Sequence, residues 1–312
     1  MKLYIKANSL KILKNIDTLL HNTISKTTLL LDESSNLEYK ANVQSAKEIK
    51  RVQEQLFYDT RALDKIIKGI YFGNSSCEHL LPHIKDIVEA KNICEQKHYN
   101  FVFVFPAISQ NRVEDVEFIC KFLAQKPKSE VVVNDIGVLN IALKHKLKPI
   151  LGLNFTKIIK NAFLDSVVQT DITNQQLQNQ KELLTHSEFE LKEVREFYKS
   201  LGVGRFGVEN IAFDFEFLDK VLRFQVDFYY PYISIANSKA CDIAGSFEDE
   251  RGYFVYDECS KYCNFASLEF KNSEITGLRQ RYNTVYKTSI NLDMPKIVYK
   301  NDRNRLIWEV FL

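Results

Sequence analysis

The chain has 312 residues, 45% of them hydrophobic, so it can bury one large core, while 10 Gly and 6 Pro leave little material for long linkers. Lys and Arg total 42 against 40 Asp and Glu, and a formal net charge of +2 neither requires nor excludes a nucleic-acid partner. No stretch reaches the roughly 18 uncharged apolar residues of a membrane span, and the start Met1-Lys2-Leu3-Tyr4 lacks the apolar run of a secretory signal. The expectation is a cytoplasmic protein. Structural disulfides are rare in that compartment, so six cysteines favour metal binding or catalysis over cross-linking.

Residues 1–68 read as a mostly helical N-terminal extension. Within them Thr28-Leu29-Leu30-Leu31 suits a strand, and Ala46 to Lys68 places Val52, Leu56, Leu63 and Ile66 near helical spacing. From Gly69 the pattern alternates. Gly69-Ile70-Tyr71-Phe72 is a short apolar run, followed by a helix over His79–Lys97. Phe101 to Phe105 is an unbroken aromatic and β-branched run ended by Pro106, as a strand buried on both faces requires. A helix over Val113–Gln125 precedes a strand at Val131–Val133. Asn134 and Asp135 then open a helix over Gly137–Lys144, and Pro149 to Gly152 is the next strand. Leu191–Ser200 reads as helix and Phe206–Val208 as strand. Strands alternating with helices imply parallel βαβ units, in a barrel or a doubly wound sheet. Gln169–Gln180 is a polar loop or polar helix, and Lys126–Lys128 and Lys144–Lys148 read as solvated faces. From Phe228 to Leu312 the chain is aromatic and poor in strand signals.

The cysteines carry the chemistry. Cys259 and Cys263 form a C-x3-C, and Cys241 precedes them by a short stretch. Three thiolates leave one position of a tetrahedral or cubane site open. Cys77 is the candidate to fill it, because it follows a strand in the polar loop Gly73-Asn74-Ser75-Ser76, and strand C-termini gather on the ligand-binding face of a parallel α/β scaffold. Cys94 and Cys120 lie among Ile87, Ala90, Ile119 and Phe122 and read as small core hydrophobes. Four soft ligands suit Zn or an iron–sulfur cluster equally well. A radical-SAM spacing fails, since Ala266 stands where its third cysteine belongs.

These segments resemble a known family. Ile70–Cys77, Glu130–Gly137, Gly152-Leu153-Asn154, the stretch from Tyr230 through Cys241 to Cys263, and Gln280–Thr284 are similar to elements of the U-thirty-two peptidase (collagenase-like protease) family, in its small members with a four-cysteine site. The resemblance covers residues 69–312 and implies a TIM-type (β/α) barrel, complete or distorted, behind the helical extension. It implies a 4Fe-4S cluster on Cys77, Cys241, Cys259 and Cys263, and so prefers iron–sulfur to zinc. It also implies oxygen-independent hydroxylation of a small aromatic quinone precursor or of an RNA base, often with a second chain of the same family. The alternative is a non-enzymatic iron–sulfur or zinc-binding partner of a related catalytic chain.

Peptidase activity is not expected, as neither G-x-S-x-G nor H-E-x-x-H occurs. His79 and His83 fall four apart and read as a surface or supporting pair. Asn134 and Asp135 suit a helix cap or a substrate contact, and Glu209 occupies an equivalent strand end. These three are the candidates for orienting a substrate. Tyr229, Tyr230 and Tyr232 read as core or loop packing, or as the wall of an aromatic pocket.

Overall fold

The structure is a computed structural model that describes residues 2–16, 67–125, 129–156, 176, 188–209, 224–248, 259–264, 266–270, 278–288 and 302–310. Seven strands follow one another: β1 (Lys2–Ala7), β2 (Ile67–Phe72), β3 (Asn100–Val104), β4 (Glu130–Val133), β5 (Lys148–Leu151), β6 (Arg205–Glu209) and β7 (Gln225–Tyr230). Then β8 (Tyr232–Asn237), β9 (Leu268–Glu269), β10 (Leu278–Arg281) and β11 (Thr284–Thr288) form a separate four-stranded antiparallel sheet. Finally β12 (Arg305–Val310) inserts between β7 and β1, pairs parallel with both, and closes an eight-stranded parallel barrel. The described helices are α1 (Leu10–Lys14), α2 (Ile84–Gln96), α3 (Val113–Leu123), α4 (Ile136–Lys144), α5 (Lys192–Ser200) and α6 (Asp242–Glu248). With helices between its strands, this is a TIM-type α/β barrel. No helix among the described residues is long and apolar enough to cross a membrane.

The strands form where both faces can be buried. Outward residues such as Ile70, Phe103, Val131 and Phe206 join one large core with the helices. Inward residues, among them Val102, Val104, Val132, Ile150 and Ile307, form a second core inside the barrel. That two-sided burial explains the nearly continuous apolar runs of β3, β4 and β5. Cys94 and Cys120 are fully buried in the outer core, as their neighbours in sequence suggested.

Two expectations need correction. Residues 1–68 are not simply a helical extension: Lys2–Ala7 is a barrel strand in register with both β12 and β2, and Ile67 and Lys68 already belong to β2. The C-terminal region is also rich in strands, not poor. In β1, β7 and β12 the buried charges Lys6, Asp227, Arg305 and Glu309 interrupt the apolar run and conceal a buried strand, whereas β8, β9 and β10 are only partly buried and carry a weak apolar signal. The expected strand at Thr28–Leu31, the helix over Ala46–Ile66 and the Lys126–Lys128 run lie outside the described residues. So does Gln169–Gln180, except for Gln176, which is helical.

A buried ionic cluster seals the N-terminal end of the barrel. The Arg205 guanidinium lies 2.6 Å from the carboxylate of Asp227, which is inaccessible to solvent. The Tyr71 hydroxyl donates to the same carboxylate and accepts from Arg305 at 2.8 Å, and Arg305 also reaches Glu130 at 2.8 Å. Burial pushes the Asp227 carboxyl above its ordinary range, while Arg205 and Arg305 pull it down. Removing one member of such a set strands the others without compensation. Asp227→Ala is therefore expected to cost about 3–5 kcal/mol in urea unfolding. A loss below about 1 kcal/mol, the value of an exposed pair, would mean that the cluster is hydrated.

Candidate functional site: a four-thiol cavity at the barrel mouth

The loop after β2 is shaped by its own sequence. Gly73 has φ +125°, and a Cβ there would collide with the Val104 carbonyl oxygen. The next residue, Asn74, turns the chain by accepting from the Ser76 and Cys77 amides at 2.9 and 2.8 Å. Cys77 then opens a 3₁₀ turn over Glu78–Leu80, whose His79 and Leu80 amides hydrogen-bond to its sulfur. Glu78 is tied down as well, its carboxylate accepting from the Ser109 amide at 2.6 Å. Burial alone would raise the Glu78 carboxyl, but Ser109, Lys239 and His79 outweigh it and hold the group below its usual value.

The other three cysteines come from the excursion between β7 and β12. Cys241 immediately precedes α6 and accepts from the Ala244 amide at 3.5 Å, with Ile243 contributing a second amide. The Cys259 sulfur accepts from the Lys261 amide at 3.4 Å. Lys261 is left-handed, with φ 58°, and reverses the chain so that Cys263, in the 3₁₀ turn Tyr262–Asn264, returns to the same place.

All four sulfurs line one cavity of about 270 Å³ at the C-terminal end of the barrel, the end where TIM-type barrels place ligands. Cys77 and Cys263 are buried, and they pack with Ile243 and Tyr282. Burial pushes both thiols up to about 12, and the proximity of the other sulfurs adds to this. Cys241 is raised for the same first reason. Backbone N–H groups oppose these shifts, since they stabilise a thiolate. Such a set ionises readily only beside a cation, so the cavity is suited to a thiolate-bound metal or cluster. Among the described residues, no three His, Cys, Asp or Glu side chains are close enough together to form one ion's ligand shell.

A second, smaller cavity adjoins the first and shares Ser76, Asn154 and Asn237 with it. Its volume, about 20 Å³, accommodates a water molecule. Lys6 and Glu309, from the neighbouring strands β1 and β12, form a buried ion pair of 2.7 Å here, and Lys6 also donates to Ser75 at 2.8 Å. Glu209 lies in the same cavity and accepts from the Ser234 amide at 2.8 Å. Asn134 lines it too, donating to the Phe105 carbonyl at 2.7 Å. The position across from it must be Gly152, because a Cβ there would overlap the Asn134 amide.

The three substrate-orienting candidates therefore separate. Asn134 and Glu209 face the small cavity. Asp135 caps α4 through Val138 at 2.7 Å and holds Ile108 with its other oxygen at 2.8 Å, so both oxygens are occupied by backbone amides. Tyr229 and Tyr230 are core residues, and Tyr232 lines the small cavity. His79 borders the thiol cavity, whereas His83 is exposed ahead of α2, so the two share no helix face. Lys6 and Glu309 were not singled out from sequence, where their only local signal is a charge in an otherwise apolar segment, and Tyr282 and Asn283 entered only as part of the Gln280–Thr284 segment that resembles the family. No protein-family model matches the chain, and no curated protein is significantly similar to it. Function must accordingly be argued from the cavities.

The Lys6–Glu309 pair is buried, with side chains 2% and 4% exposed, so Lys6→Met alone is expected to destabilise the protein by about 3–5 kcal/mol. The double variant Lys6→Met with Glu309→Leu should recover most of that loss, which a double-mutant cycle by chemical denaturation measures. A double variant as unstable as the single one would show that the pair contributes packing rather than charge.

Proposed function

We propose that this chain is an iron–sulfur protein of U-thirty-two type, holding one 4Fe-4S cluster on Cys77, Cys241, Cys259 and Cys263 and serving as a subunit in an oxygen-independent hydroxylation. The observation that carries the reading is the meeting of four cysteines, drawn from residues 77 to 263, on one cavity, while Cys94 and Cys120 remain in the core. Four soft thiolates suit zinc or a cluster alike, and the preference for a cluster rests on the resemblance of the segments around these cysteines to the U-thirty-two family. The amides of His79, Leu80, Ile243, Ala244 and Lys261 would stabilise the negative charge of the ligated sulfurs.

When bound, a cluster of this kind supplies one-electron transfer. The chain's own residues would do the rest. Ile243 and Tyr282 would shield the sulfurs of Cys77 and Cys263. Glu209, Asn134 and the Lys6–Glu309 pair would orient a polar group or a water in the adjoining cavity. That cavity is too small for an aromatic ring, which favours a second reading in which the substrate sits on an associated chain of the same family.

Anaerobic purification with absorbance, iron, sulfide and zinc analysis tests the proposal. The expected result is a brown protein with about four irons and four sulfides per chain. Cys77→Ser and Cys259→Ser should lose iron equally, and Cys94→Ala should keep it. A colourless protein with about one zinc per chain would replace the cluster by a structural thiolate site. Hydroxylation by the isolated chain, set against hydroxylation only with a partner, separates the two functional readings.

A further inference from the structure

The hairpin between β10 and β11 turns through only two residues, Tyr282 and Asn283, since Arg281 pairs with Thr284. Such turns favour glycine or asparagine where φ is positive. Here Tyr282 has φ 59°, a conformation that a bulky side chain adopts rarely and at a cost. The strain coincides with a function for the side chain. Tyr282 is buried, packs against Cys77, Cys263 and Ile243, and its hydroxyl accepts from Asn8 at 3.4 Å, just beyond β1. Its carbonyl oxygen lies 3.7 Å from the Cys241 sulfur. Asn283 is bonded on both sides of the cavity. Its amide nitrogen donates to the carbonyl of Ser76, the residue before Cys77, at 3.0 Å, and to that of Ser238, three residues before Cys241, at 2.6 Å. The Asn283 carbonyl in turn accepts from the Ser238 amide at 3.1 Å.

We infer that the Tyr282–Asn283 turn is a strap that positions the four-thiol site. Asn283 ties the Cys77 loop of the barrel to the Cys241 loop of the inserted sheet, and Tyr282 packs its ring on Cys77 and Cys263. The inference rests on the cluster reading for its consequence, but not for its geometry. Two carbonyls on separate loops, that of Ser76 part-buried and that of Ser238 exposed, share the one side-chain amide of Asn283, so the loops cannot separate without breaking both bonds. A turn needed only to connect two strands would have no reason to keep a tyrosine in a left-handed conformation.

Two variants test this. Asn283→Asp preserves shape but removes both donors and places a carboxylate against two carbonyl oxygens. Tyr282→Gly relieves the backbone strain and removes the ring. In the metal-free full chain, Asn283→Asp should leave the thermal midpoint near that of the wild type, whereas Tyr282→Gly should lower it, because loss of a buried ring outweighs the relieved strain. Amide exchange at Ser238 should nevertheless be faster in Asn283→Asp. In the anaerobically loaded protein, both variants should lose iron to a competing chelator about tenfold faster or more, the scale of a lost supporting contact to a metal ligand. Wild-type iron retention in both variants, or unchanged Ser238 exchange in Asn283→Asp, would overturn the strap. If the wild type binds no iron, the cluster reading falls, and the exchange measurement alone then decides whether the strap exists.

Discussion

Closure of the barrel is the constraint on which everything else in this molecule depends. Strand β12 must return from the far end of the chain to lie between β7 and β1, because only there do all eight strands find hydrogen-bonding partners on both edges. The chain that runs between β7 and β12 is thereby anchored at both ends of its excursion. Its described strands β8 to β11 form a small antiparallel sheet whose Tyr282–Asn283 turn meets the loop after β2 at the mouth. Three cysteines travel with that sheet. The fourth, Cys77, lies on the loop after β2, fixed by a glycine at positive φ and an asparagine turn that belong to the barrel itself. The thiol cavity is thus a seam between two parts of one chain.

Closure also sets what the interior can contain. Eight parallel strands leave room for layers of side chains, and the middle of this barrel is filled by valines, isoleucines and tyrosines. Both ends carry charge. At the bottom, Asp227 is shared among Arg205 and Tyr71, with Arg305 linking on to Glu130. At the top, Lys6 faces Glu309 beside Glu209. Burying these groups has a desolvation cost that hydrophobic residues would avoid. At the N-terminal end the cluster couples β2, β4, β6, β7 and β12 and is adequately explained as structure. At the C-terminal end the same expenditure lies beside an open cavity, where it sets out acid, base and hydrogen-bonding groups next to the four sulfurs.

The cysteines show how position in the fold, not residue type, separates inert thiols from available ones. Cys94 and Cys120 sit on helices whose inward faces pack against the barrel, and burial pushes both up to about 12. Cys77 and Cys263 are raised as far and pack with Ile243 and Tyr282, yet they also line a cavity shared with Cys241 and Cys259, which Cys94 and Cys120 do not.

Much of the barrel was legible along the chain. Strands β3, β4, β5 and β6 and helices α3, α4 and α5 lie within a residue or two of where apolar runs and helical spacing put them, because a strand buried on both faces must be apolar throughout. The C-x3-C spacing, Cys241 before it and the polar loop around Cys77 anticipated the four cysteines that line one cavity, apart from Cys94 and Cys120 with their apolar neighbours. Strands β1, β7 and β12 were not, because Lys6, Asp227, Arg305 and Glu309 interrupt them, and each is neutralised by a residue distant in sequence. The split between Asp135 as a cap and Asn134 and Glu209 as cavity residues likewise needed coordinates, since adjacent residues at a strand end point to different sides. By itself the sequence determined an alternating α/β chain and which thiols were free of the core, for these follow from local pattern. Closure through β12, the pairing of buried charges and the joining of Cys77 to the inserted sheet were decided only by tertiary structure, because each depends on contacts between segments whose order in the chain carries no local trace.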